Sequence, residues 1–395
     1  MTNDDPIVIT AAMRTPLGGF QGALSNLTAA ELGATAIKAA LDKSALKPDT
    51  IDEVVMGCVL PAGQGQAPAR QAGLGAGLPI GTNCTTINKM CGSGMKAAMF
   101  AHDLLIAGSA KIAVAGGMES MTNAPYLLPK VRGGLRMGHG QTQDHMFLDG
   151  LEDAYDKGKL MGCFAEETAT KYTFSREEQD EFALRSLARA KEAIDNGDFK
   201  SEVAPVTVKS RKGESVVEHD EQPHKAMPEK IPTLRAAFAK DGTVTAANAS
   251  SISDGAAALV MMRKSECDAR GLTALATVLG HTTHAHEPEW FTTAPVHAMR
   301  KLLEQLNCSQ NDIDLYEINE AFAVVTMAAM KELDLPADKV NIHGGACALG
   351  HPIGASGARI LTTLLHALIN QGKKRGIASL CIGGGEATAM AIEIN

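Results

Sequence analysis

Aromatic side chains are scarce: one Trp, four Tyr and ten Phe among 395 residues, 4% in all. Glycine is plentiful at 39 residues, and so is alanine. Small residues let helices and strands approach closely and let backbone approach a ligand. This composition suits a tightly layered α/β protein better than a β-sandwich. Positive charge is not in excess, with 37 Lys and Arg against 45 Asp and Glu and a net charge of −8. A general nucleic-acid binder presents a basic face, so that class is disfavoured, although local basic clusters can still meet an anionic ligand. No apolar run reaches the ~20 residues of a membrane helix. The start, MTNDDPIVIT, lacks the basic and apolar regions of a signal peptide. A cytoplasmic chain with no membrane and no nucleic-acid partner is the resulting expectation. The eight cysteines contain no CxxC pair and no zinc-module spacing. In a reducing compartment they are expected as thiols, and each taken singly reads as a buried small hydrophobe.

Regular alternation of strand and helix occupies the two ends of the chain. PIVITAA (6–12) reads as a buried strand, 28–42 has helical periodicity, and 51–60 reads as a helix end passing into a strand. MKAAMFAHDLLIAG (95–108) is an amphipathic helix with a glycine C-cap, followed by the strand KIAVAGGMES (111–120). From 121 to 249 the alternation is lost. There a charged helix at 175–194 opens on a Ser-x-x-Glu capping box, and a polar KSRKGE turn follows PVTV. The C-terminal third alternates again, with helices near 294–306 and at 358–372 and two strands around a glycine turn in GIASLCIGGGEATAMAIEI (376–394). NKMCGSG–helix–IAVAGGME is echoed by HPIGASG–helix–ASLCIGGGE. The echo predicts two similar α/β halves about a pseudo-twofold.

Four segments, three of them framed by glycines, carry reactive groups. Cys91 precedes Gly-Ser-Gly and a helix, where the dipole and free N–H groups favour a thiolate. His351 sits between Gly350 and Pro352 in GGACALGHPIGASGAR (344–359), either as a turn histidine or beside a ligand that backbone must approach closely. Cys381 ends an apolar strand before Gly383–Gly385, and strand ends of this kind are where ligands bind in α/β sheets. In NEAFA (319–323), Asn319 reads either as an N-cap followed by a first-turn acid or as a site residue.

Together CGSG, NEAFA, GHPIGASGAR and CIGGG, in that order, resemble the thiolase family. MRTPLGGFQGAL, GGMESMTNAPY and DGTVTAANASSISDGAAALVMM extend the resemblance along the whole chain. It is closest to the short-chain members, the acetyl-CoA acetyltransferases. The resemblance implies a five-layered αβαβα fold of two mixed-sheet halves with an inserted loop domain. The N-terminal half would be 1–120 plus 250–270, the loop domain 121–249 and the C-terminal half 271–395. It implies Cys91 as the nucleophile, His351 as its base and Cys381 as the acid/base at the α-carbon of a second acetyl-CoA. Asn319 would hold a water that, with His351, faces the enolate, and the N–H groups of Cys91 and Gly383 would face the tetrahedral oxyanion. Met161, Phe238, Ala246, Ser250 and Phe322 match positions lining the pantetheine channel, and Lys225 is the expected partner of the adenosine phosphates. Coenzyme A would be a substrate and product; no cofactor and no metal are expected.

Some positions depart from the short-chain pattern. Leu160 in KLMGCFAEE replaces a common histidine, which puts acyl-chain length in question. TAANAS resembles a potassium-binding subgroup, but Leu187 stands where that subgroup has tyrosine, so potassium is not expected. The alternative is a 3-ketoacyl-CoA thiolase of longer chain length, acting in fatty-acid β-oxidation. The resemblance also implies a homotetramer, a dimer of dimers, with 133–141 as its tetramerisation loop.

Overall fold

The computed structural model describes residues 5–211 and 213–395. The acidic lead at 1–4 and Lys212 of the polar turn lie outside the described residues. The N-terminal half runs β1 (Ile7–Arg14), α1 (Ala29–Ser44), β2 (Glu53–Gly57), α2 (Pro68–Gly75), β3 (Asn83–Ile87), α3 (Ser93–Ala107) and β4 (Ile112–Ser120). An intervening segment contains α4 (Met161–Tyr172), α5 (Arg176–Asn196) and the hairpin β5 (Val206–Ser210) and β6 (Gly213–Val217), before β7 (Ser253–Arg263) returns to the first half. The second half runs β8 (Ala276–Ala285), α6 (Ala294–Gln305), β9 (Leu315–Ile318), α7 (Ala323–Leu333), α8 (Ser356–Asn370), β10 (Arg375–Ile382) and β11 (Glu386–Ile394).

The large sheet has the order β9-β10-β11-β8-β1-β7-β4-β2-β3. Within it each half repeats one plan. Strands β1, β7 and β4 pair antiparallel and β4, β2 and β3 parallel, while β8, β11 and β10 pair antiparallel and β10 and β9 parallel. Within the sheet the halves join where β1 pairs with β8, Val8 opposite Thr277 and Ile9 opposite Ala276.

Side-chain alternation builds the layers. Ile7 and Ile9 of β1 join a core that contains Met95, Ala98 and Leu105 of α3 and Ile360, Leu361 and Leu364 of α8. Val8 and Ala11, on the opposite face, pack with Leu32, Ala36 and Ile37 of α1. A third core joins Met299 and Leu302 of α6 to Ile318, Ile377 and Ala389. The result is α1 and α2, sheet, α3 and α8, sheet, α6 and α7: the five-layered αβαβα arrangement expected from the sequence. Each fully buried Ile or Leu in these cores contributes about 1.5–3 kcal/mol.

The central helices cross where the echo in the sequence places glycines. A Cβ on Gly94 would lie 2.7 Å from the backbone N of Ala358, and one on Gly357 would lie 2.3 Å from that of Met95. Only glycine at both positions permits this approach.

Two local expectations change. The segment 51–60 has no helix end; a 3-10 turn at Pro48–Thr50 leads into β2, because Pro48 starts a turn that it cannot extend from within. The 121–249 insertion carries more regular structure than its sequence texture suggested. Its capping box is present: Ser175 Oγ accepts from Glu178 N at 3.1 Å and Glu178 accepts from Ser175 N at 2.8 Å. Buried Arg14 fastens the insertion to β1, donating to Asp220 at 2.7 and 2.9 Å and to Glu202 at 2.5 Å. No described helix is long and apolar enough to cross a membrane.

Candidate active site

Cys91 is set on a strained turn. The preceding Met90 has φ +47°, a conformation that costs a non-glycine residue roughly 1–2 kcal/mol. Ser93 holds it in place, accepting from Lys89 N at 2.8 Å and donating to Met90 O at 2.6 Å. A Cβ on Gly92 would lie 2.3 Å from Ile382 Cδ1. Glycine there lets the end of β10 close on the turn and brings Cys381 and Gly383 to Cys91. Burial pushes the Cys91 thiol up to about 11, opposed by the backbone N–H groups of Gly383 and of Cys91 itself, which face the sulfur. The thiol is therefore protonated at rest and needs a base.

His351 has the form that a base requires. Its Nδ1 lies 2.5 Å from Ser356 Oγ, whose own proton goes to Pro352 O at 3.0 Å. Ser356 can then only accept from the ring, so Nδ1 carries the hydrogen and Nε2 the lone pair. Nε2 is buried with no protein partner. Burial, aided by the charge of Arg359, pulls the imidazole down to about 3, so it is neutral and basic in form at pH 7.

Cys381 is fully buried. Burial and the nearby Cys91 push its thiol far above the ordinary cysteine value.

Asn319 has its backbone N–H on Ser379 O at 3.0 Å, but both side-chain amide atoms are buried without a partner. An orphaned buried polar group costs about 1–3 kcal/mol, and such a group in a native site calls for a ligand. The N-cap alternative for Asn319 does not hold: α7 begins at Ala323, with Phe322 at its cap. The amide is positioned by its neighbours. Asn341 holds Ile318 through bonds of 2.8 Å to both its N–H and its carbonyl. Glu320 accepts from Ser186 Oγ at 2.7 Å, Asn341 Nδ2 at 2.8 Å and Cys347 N at 3.1 Å.

The supporting acids were missed by sequence reasoning. Glu119 accepts from the N–H groups of Val59, Leu60 and Gly354 at 2.9–3.1 Å. It thus ties the end of β4 to the loop that follows His351, and burial pushes its carboxyl up to about 7. Glu386 pairs with Lys89, joining the Cys91 turn to the start of β11. The signal for both was the acid that follows the glycines in GGME and GGGE.

Met161, Phe238 and Phe322 surround Cys381 in one apolar cluster with Phe164 and Phe291. A Cβ on Gly383 would lie 3.4 Å from Met161 Sδ, so this cluster borders the glycine turn. Ser250 donates its N–H to Ala321 O at 3.0 Å. Ala246 is apart from the cluster, lining a cavity of about 350 Å³ with Leu187, Lys230 and Cys347. Lys225 is exposed and ion-paired with Glu221. Leu160 caps α4 from an extended backbone. Leu135 and Met137 of the 133–141 loop are exposed, Met137 at 97%.

The family described as thiolase, N-terminal domain, matches residues 7–265, and that described as thiolase, C-terminal domain, matches 272–394. An acetyl-CoA acetyltransferase of Chromobacterium violaceum is 49% identical over 98% of this chain and 99% of its own. The crystal structure of the Bacillus anthracis acetyl-CoA acetyltransferase superposes with a TM-score of 0.96 at 42% identity, covering 99% of both chains. The Acat5 thiolase of Ascaris suum, solved in complex with coenzyme A, gives 0.93 at 42% identity over 99% of this chain and 100% of that one.

Proposed function

The chain belongs to the thiolase family, and we propose that it is an acetyl-CoA C-acetyltransferase, joining two acetyl-CoA into acetoacetyl-CoA and coenzyme A through an acetyl-Cys91 intermediate. Two observations carry the residue roles: the convergence on Cys91 Sγ of the Gly383 and Cys91 N–H groups, and a buried His351 whose Nε2 has no protein partner.

His351 Nε2 takes the Cys91 proton, and the thiolate attacks the thioester carbonyl. The oxyanion develops against the two N–H groups. Coenzyme A leaves as the thiol with the proton of Cys381, so acetyl-Cys91, a Cys381 thiolate and a protonated His351 remain. The second acetyl-CoA loses its α-proton to the Cys381 thiolate. Its enolate is held on the side of Asn319 and the protonated His351, where Asn319 offers unpaired amide donors. The enolate carbon attacks acetyl-Cys91, the carbon–carbon bond forms, and the Cys91 sulfur leaves and recovers its proton from His351. The kinetics are ping-pong. No metal is required by this sequence of steps.

The phenyl rings packed around Cys381, with Phe238 and Phe322 edge to face at 6.0 Å, support a short acyl group. Lys225 meets the adenosine phosphates in this reading, which requires it to leave Glu221. The exposed apolar side chains at 135 and 137 support a homotetramer joined through 133–141. Mass spectrometry after incubation with acetyl-CoA tests the central claim. Cys91→Ser abolishes acetylation, whereas Cys381→Ser is acetylated but forms no acetoacetyl-CoA. Acetylation of Cys91→Ser at the native rate refutes the assignment, and a thiolysis profile that rises with chain length beyond four carbons favours the longer-chain enzyme.

A further inference from the structure

Behind the glycine turn stands a group of three imidazoles with no part in the chemistry above. His284 ends β8, His286 follows it and His297 lies on the first turns of α6. One ring nitrogen from each lies within 4.8 Å of the others. The rings of His284 and His297 stack at 4.6 Å and 26°, and His286 meets both edgewise at 5.0 and 5.6 Å. Among the described residues, the ring nitrogens of His284 and His297 take no hydrogen-bond partner.

We propose that His284, His286 and His297 form a binding site for one divalent late transition-metal ion, with Zn²⁺ as the reference case. The hydrogen bond of His286 supports it. His286 Nε2 lies 2.8 Å from Trp290 O, a carbonyl that can only accept. Nε2 therefore carries the hydrogen, and Nδ1 is left as the ligand lone pair, the arrangement that orients metal-bound histidines. The backbone N–H of His286 donates to Gly385 O at 2.9 Å, so the site is joined to the turn that carries Gly383. An all-nitrogen set selects zinc, nickel or copper and gives Mg²⁺ or Ca²⁺ none of the oxygen donors they need. His297 is exposed, which leaves the ion an entry path and room for water as a fourth ligand. Bound there, the ion would clamp the end of β8 to α6 directly behind the catalytic glycines.

A second cluster, His102, Asp103 and His281, is already closed. Asp103 Oδ1 lies 3.1 Å from a ring nitrogen of each histidine, and those nitrogens lie 3.2 Å apart. It serves as the control.

The test uses untagged full-length protein stripped with chelator. Zn²⁺ is titrated by calorimetry in excess Mg²⁺, and Co²⁺ by absorption. The expected result is one equivalent bound, with a cobalt spectrum free of sulfur charge-transfer bands. Binding should weaken at least ~100-fold in His284→Asn and in His297→Asn, matching or exceeding the loss typical of an outer-shell partner. It should be unchanged in His102→Asn. His297 is exposed, so its variant folds. Three results overturn the proposal: no saturable zinc binding, native affinity in both variants, or a sulfur-ligated cobalt spectrum.

Discussion

Removing the hydroxyl of Ser356 tests the reading of His351 most directly. In the native site, Ser356 Oγ accepts from Nδ1 at 2.5 Å while donating to Pro352 O, so the ring keeps its lone pair on Nε2. In Ser356→Ala the Nδ1–H is buried and unpaired, at a cost of about 1–3 kcal/mol. Moving the hydrogen to Nε2, which also lacks a protein partner, gives a tautomer of similar cost that cannot accept the Cys91 proton. In the imidazolium formed by proton transfer the unpaired Nδ1–H is a charged donor, whose hydrogen bond is worth about 1.5–3 kcal/mol, and the barrier rises by up to that amount. At 1.36 kcal/mol per decade of rate, acetylation of Cys91 slows by up to roughly 150-fold. Rapid-quench single-turnover acetylation with saturating acetyl-CoA measures this step alone. KM changes little, because Ser356 touches no substrate in this scheme. Ser356→Thr, which keeps the hydroxyl, restores most of the rate. If the folded Ser356→Ala protein acetylates at the native rate, the tautomer argument fails.

Gly357→Ala places a methyl 2.3 Å from the Met95 nitrogen; overpacking of this kind costs about 1–3 kcal/mol or more, read as a lower urea midpoint. Arg14→Leu leaves Asp220 and Glu202 buried without their cation, and the loss, about 3–5 kcal/mol, is expected to free the 121–249 insertion for proteolysis. Between about pH 6.5 and 3 the unfolded chain binds a proton at His351 that the native state refuses. This term therefore removes stability as pH falls through that window, and His351→Asn flattens the acid side of a midpoint-versus-pH curve. Glu119 acts in the opposite sense: its carboxyl is raised to about 7 from 4.5, so its contribution is complete at low pH and lost as pH rises toward 7. Glu119→Gln removes that alkaline-side loss.

Local patterns made much of the fold legible. The alternation in PIVITAA lies within β1, the Ser175 box opens α5 as written, and the glycine echo marks the crossing of α3 and α8. Three of the reactive side chains, Cys91, His351 and Cys381, were legible because each stands in a glycine frame. What was hidden depends on distant partners. Arg14 finds Glu202 and Asp220 at separations of 188 and 206 residues, and no periodicity reports such a pairing. NEAFA alone could not separate a helix cap from an orphaned amide, because that depends on where α7 begins. Glu119 and Glu320 look like ordinary acids until the N–H groups they collect are seen. The three histidines at 284, 286 and 297 belong to different elements and became a group only in space.

The closure of β10 over the Cys91 turn also has a consequence in time. Cys91 leaves the ribosome early, whereas His351, Cys381 and the Gly383 amide belong to the last part of the chain. His351 follows Cys91 by 260 residues (351 − 91), which at ~5–20 residues per second is roughly 10–50 s of synthesis. Throughout that interval Cys91 lacks His351 and the Gly383 amide, its partners in the proposed reaction. An enzyme assembled in this order carries a quiet thiol through translation and arms it only when the final strand docks.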